Sequence, residues 1–103
     1  MIKFDKNNAE NSNINKNTTF QNTINDIKKL KQLNLINQGI ATALIQVIKN
    51  SEKIYLNNNK RQAMQLIWVA EKLLEKAPDK LINNNAYKIL IIDINALRNP
   101  LQT

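Results

Sequence analysis

Cysteine and histidine are both absent from this 103-residue chain, and glycine occurs once and proline twice. Without cysteine there is no disulfide framework, no thiolate metal ligand and no thiol nucleophile. Without histidine the commonest general base and metal ligand is gone, and with it every triad built on imidazole. A single glycine leaves no room for the phosphate-cradling loops of nucleotide enzymes. The scarcity of both helix breakers argues against collagen-like and turn-rich β classes and favours long, uninterrupted helices. No apolar run approaches the roughly 18 residues of a membrane span, and the opening MIKFDKNNAENSNINKNTTF lacks the apolar core of a signal peptide. A soluble, cytoplasmic chain is the expectation.

Acids are few as well, eight against 15 Lys and Arg, giving a net charge of +7. The nearest carboxylate pairing, Glu71 with Glu75, lies one helical turn apart beside Lys72 and Lys76, a pattern of ordinary surface charge. A conventional enzyme is therefore not expected, and neither a cofactor nor a metal site. The basic excess favours anionic partners without naming one. Much of the polarity comes from 19 asparagines rather than from a dense carpet of Lys and Arg. Abundant Asn, Ile and Lys is also what an AT-rich genome encodes by default.

Apolar periodicity gives the architecture. Residues 1–17 hold six asparagines and isolated Ile2, Phe4 and Ile14, too little apolar surface to offset the entropy of ordering. A mobile arm is expected there, with one helical domain over 18–103. Asn17 or Thr18 is a suitable N-cap for a first helix carrying Phe20, Thr23, Ile24, Ile27 and Leu30 at helical spacing. It should end within NLINQG, residues 34–39, because an unbroken helix through to Leu56 would run about 57 Å at ~1.5 Å per residue. A second helix over 38–56 shows Ile40, Leu44, Val47, Ile48, Ile54 and Tyr55 on one face. A third over 60–76 turns Ala63, Leu66, Ile67, Ala70, Leu73 and Leu74 inward and stops at Pro78. A fourth over 85–98 is apolar around most of its circumference, apart from a stripe of Lys88, Asn95 and Asn99. The predicted fold is all-α, a small antiparallel bundle of three to four helices with a disordered N-terminal arm, the third and fourth helices central.

The triplets Asn57–Asn59 and Asn83–Asn85 each separate an apolar pair from a new helix. Helix-end chemistry accounts for them: Asn57 or Asn58 suits a left-handed turn, and Asn59 and Asn85 suit N-caps.

Three features remain as candidates for function. Trp68 shares an outer arc of the third helix with Arg61, Met64 and Lys72, the composition of a protein-binding hot spot or of a base-stacking platform. The competing reading buries the indole under the first helix or the arm. Lys28, Lys29, Lys31, Lys60 and Arg61 form a candidate basic patch for phosphates, if they are more than a solvated outer face. Asp93 interrupts ILIIDINAL on an apolar arc, where burial would call for a partner such as Lys60, Arg61 or a backbone donor.

These features suggest a small non-enzymatic interaction or regulatory protein that uses a helical surface, with a protein partner or a second copy of the chain as the first expectation. Nucleic acid is an alternative partner. Size and charge are also those of several small helical classes, bacteriocin-immunity bundles among them, but no residue motif singles one out.

Overall fold

The computed structural model describes residues 8–102, which form four helices: α1 Asn8–Gln32, α2 Gln38–Leu56, α3 Lys60–Lys76 and α4 Asn84–Gln102, with a short 3-10 turn at Asp79–Leu81 before the last. Each helix packs against its chain neighbour and α4 closes back on α1. The result is an antiparallel bundle with buried residues of all four helices in one core. Among the described residues no helix is long and apolar enough to cross a membrane.

The helical periodicity explains the core. α1 buries Phe20, Thr23, Ile24, Ile27 and Leu30, α2 Ala41, Leu44, Ile48, Ser51 and Tyr55, and α3 Ala63, Ile67, Ala70 and Leu74. These are the i, i+3, i+4 rows of amphipathic helices. Each large aliphatic side chain so buried stabilises the fold by about 1.5–3 kcal/mol. Phe20 and Tyr55 stack obliquely, ring centroids 5.7 Å apart, and tie α1 to the end of α2. Small residues let α2 and α3 approach, and the buried Ser51 hydroxyl donates to the Ala63 carbonyl at 2.9 Å.

α1 opens at Asn8, ahead of the cap expected at Asn17 or Thr18. With no proline or glycine in that stretch, helical hydrogen bonding propagates through it. Residues 1–7 of the expected arm lie outside the described residues. No helix is central: α2 and α4 each lie between α1 and α3. The apolar girth of α4 is partly spent on solvent, with Ile89 and Ile92 exposed beside the polar stripe of Lys88 and Asn95.

Asparagine writes most of the helix boundaries. Asn34 (φ 60°) and Asn58 (φ 68°) take the left-handed position after α1 and α2. In both turns the next residue's N–H reaches back to the helix, Leu35 to Leu30 at 2.9 Å and Asn59 to Ile54 at 3.2 Å, which is the Schellman arrangement with asparagine in glycine's usual place. Gly39 does not have positive φ; it lies in the first turn of α2. Its N–H donates to the Asn37 side-chain oxygen at 2.8 Å, and an added Cβ would stand 3.1 Å from that same oxygen.

Asn59 caps α3, accepting from the Gln62 N–H at 3.1 Å while its own amide donates to the Gln62 side chain at 2.9 Å. The cap of α4 is Asn83, not Asn85. Its Oδ1 accepts from the N–H groups of Asn85 (2.8 Å) and Ala86 (3.4 Å).

The loops before α2 and α4 share the tripeptide Leu-Ile-Asn, residues 35–37 and 81–83. The two copies clasp each other as a single antiparallel bridge between Ile36 and Ile82. The Asn37 N–H donates to the Leu81 carbonyl at 2.7 Å and the Asn83 N–H to the Leu35 carbonyl at 2.8 Å. Both isoleucines are buried, and both asparagines cap the helix that follows. The correspondence continues beyond the clasp. Leu44, Ile48, Ser51 and Tyr55 of α2 and Leu90, Ile94, Leu97 and Leu101 of α4 occupy the same register after their Leu-Ile-Asn and are all buried. α2 and α4 are therefore alike in cap and in buried register, and the clasp joins the loops that precede them.

Candidate functional site

The inward row of α3 (Ala63, Ile67, Ala70, Leu74) determines where its other side chains go. Trp68 follows Ile67 by about 100° of rotation, which turns the indole outward, and it is 58 % exposed. α1 does not cover it, because α1 packs on α2 and α4. Beside Trp68 lies a concavity of about 570 Å³ between the C-terminal half of α3 and the first turn of α2. Ile40, Val69, Leu73 and Pro78 supply its apolar surface, Trp68 one wall, and Lys72 and Lys76 its charges. No carboxylate is among its lining residues.

Trp68 and Lys72 thus meet at one feature. Arg61 is exposed seven residues earlier on the same outer stripe but does not line the groove, and Met64 is partly buried against the core. Val69, Lys76 and Ile40 were not anticipated. Val69 and Lys76 follow Gln65 and Lys72 at helical spacing, a visible signal, whereas the approach of Ile40 depends on how α2 packs. Lys72 also pairs with Glu75 at 3.6 Å, an exposed i, i+3 contact of small energetic weight.

The candidate basic patch divides. Lys28, Lys29 and Lys31 stand at the C-terminal end of α1, beside the Leu-Ile-Asn clasp, while Lys60 and Arg61 open α3 at the other end of the bundle. The 17 residues of α3 span about 25 Å at ~1.5 Å per residue. The five cations therefore make two separate groups.

Asp93 does not meet Lys60, Arg61 or a backbone donor. It faces α1, where its carboxyl comes within hydrogen-bonding reach of that of Asp26. Its Oδ2 is buried without a hydrogen-bond partner. Burial first, then the hydrogen bond and the like charge of Asp26, push its pKa from 3.8 up to about 7. The ion pair of this region lies on the other side of α4, where Arg98 binds Glu71 of α3. That register sets Asp93 level with the later turns of α3, away from Lys60 and Arg61.

Among the described residues no three His, Cys, Asp or Glu side chains are grouped to hold a metal ion. What the groove offers is an exposed aromatic, an apolar surface and positive charge. The fold and this surface together define a four-helix bundle with an open groove on α3. No protein-family model matches the chain, and no curated protein or solved structure matches it.

Proposed function

We propose that the chain is a small non-enzymatic interaction or regulatory protein that binds a macromolecular partner through the outer surface of α3. The observation that carries this reading is the exposure of the single tryptophan over an apolar concavity. A large indole left 58 % exposed forgoes burial that a small bundle could use. Tryptophans in such settings are frequent binding hot spots. Val69 extends the exposed apolar surface, and Lys72 gives it an electrostatic preference.

Two other readings have some support. A nucleic-acid binder would use Trp68 as a stacking platform beside Lys72 and Lys76, but the candidate basic patch of Lys28, Lys29, Lys31, Lys60 and Arg61 is split between the two ends of the bundle and is not one phosphate track. A self-assembling subunit would use Ile89 and Ile92 on α4, 43 % and 67 % exposed, against the mutual repulsion of chains carrying +7 each.

The test is affinity capture with tagged wild type, Trp68→Ala and a Lys60→Glu/Arg61→Glu variant, each checked for native helicity. The expected result is a captured partner lost by Trp68→Ala and retained by the charge variant. Retention of every partner by Trp68→Ala would remove this surface from consideration.

A further inference from the structure

Resting on that reading, we infer that the groove beside Trp68 accepts a helical segment of a partner protein, about three turns long, with apolar anchors flanked by acidic residues. Four observations on the groove select this occupant.

The first is chemistry. Val69, Leu73 and Ile40 form an apolar surface, whereas the charged lining residues are Lys72 and Lys76 with no carboxylate among them. An occupant must present apolar side chains to the former and negative charge to the latter. The second is the first turn of α2, which contributes Ile40 and contains no acidic residue. The positive end of its helix dipole thus lies on the same side as the two lysines, while the nearest carboxylates, Asp79 beside Asn37 and Gln38 and Glu75 beside Lys72, stand outside the groove lining.

Shape is the third. The α3 side of the groove extends from Gln65 to Lys76, about 17 Å of helix at ~1.5 Å per residue. That length matches three turns of a partner helix carrying anchors at i, i+3 or i+4, and i+7. The described residues form no β-strand with a free edge, the Ile36–Ile82 bridge being internal to the clasp, so an added strand has nothing to pair with. The fourth is net charge. A second copy would bring +7 to a surface that is already positive, which disfavours the chain itself as occupant.

Trp68 is the chain's only tryptophan, so its fluorescence reports directly on the groove. The probe is a capped synthetic helix of about three turns, with leucines at i, i+3 and i+7 and glutamates on the flanking positions. Its companions are the same peptide with lysine for glutamate, an oligo-thymidine strand and anionic phospholipid vesicles. The glutamate peptide should shift Trp68 emission to the blue with saturation, and the effect should weaken as salt rises and screens the lysines. Lys72→Glu with Lys76→Glu should weaken binding about tenfold while leaving helicity unchanged. Glu75→Gln, which releases Lys72 from its ion pair, should tighten it about twofold.

Equal binding of the lysine peptide, or no effect of the double reversal, overturns the inference. A saturable response to the oligonucleotide or the vesicles without one to the glutamate peptide overturns it in favour of that other ligand. Failure of both peptides while Trp68→Ala still loses its captured partner overturns the acidic helix alone and leaves the proposed function standing.

Discussion

The two sides of α4 treat charge in opposite ways. Toward α3, Arg98 meets Glu71, each about a quarter exposed, in an ion pair that spans the interface. Toward α1, Asp93 meets Asp26, and burial with like charge makes ionising Asp93 unfavourable. Hydrophobic side chains between them, Leu90, Ile94 and Leu97, are equally buried on both accounts. The contrast shows that an apolar core can hold one helix between a favourable polar contact and an unfavourable one, because the core supplies most of the stabilisation and the polar contacts modulate it.

Truncating what the two sides share should have the largest effect. Leu97→Ala is expected to cost about 3 kcal/mol in denaturant unfolding through lost burial and the cavity left behind, with little dependence on pH. Glu71→Ala acts on one side only and should cost about 2 kcal/mol at pH 7, because it strands the Arg98 guanidinium, whose Nε is already buried without a partner. A double-mutant cycle with Arg98→Met isolates the pair; a coupling near zero would abolish the contrast between the two sides.

The α1 side should respond with the opposite sign. The Asp93 proton is held more tightly in the folded state than in the unfolded one, so the unfolded chain binds fewer protons between about pH 4 and pH 7. Stability from this group is full at low pH and is lost as pH rises through that window. Asp93→Asn should flatten the pH profile and raise stability at pH 8 by about 1 kcal/mol, a modest figure because solvent screens this partly exposed pair. Thermal unfolding at pH 5 and pH 8 measures both. A variant less stable than wild type at pH 8 would show that the carboxylate has a stabilising partner there.

The smallest effects concern how α4 begins, and hence its register on both neighbours. Asn83→Ala should cost about 1 kcal/mol through loss of the N-cap, and Asn59→Ala should cost a similar amount at α3. Asn85→Ala should change stability by only a few tenths of a kcal/mol, since its side chain does not cap the helix. Equal costs at Asn83 and Asn85 would mean that the clasp does not set the cap.

Much of the architecture was legible because it depends on local periodicity. The bounds of α2 and α3 and the cap at Asn59 follow from apolar spacing, asparagine at helix ends and Pro78. Less was legible where a distant segment decides. Asn83 caps α4 because the Leu-Ile-Asn clasp holds it there, and the repeated tripeptide was a signal more telling than the repeated asparagine triplet. Gly39 suggested a turn by its rarity, but Asn34 takes the left-handed position. Of the candidate surface residues, Trp68 and Lys72 come together on one groove, while Met64 turns toward the core and the two basic groups part along the length of the bundle.

The sequence by itself determined that this chain is helical, where two of its helices begin and end, and which chemistries it lacks. All three depend on residue type and on spacing within one helix, interactions reaching no more than a turn or two. Tertiary structure alone decided that Asp93 faces a second aspartate, that Ile40 closes the groove beneath Trp68, and that the indole is open to solvent. Each of those depends on the rotation and register of one helix against another, which the summed packing of the whole core selects.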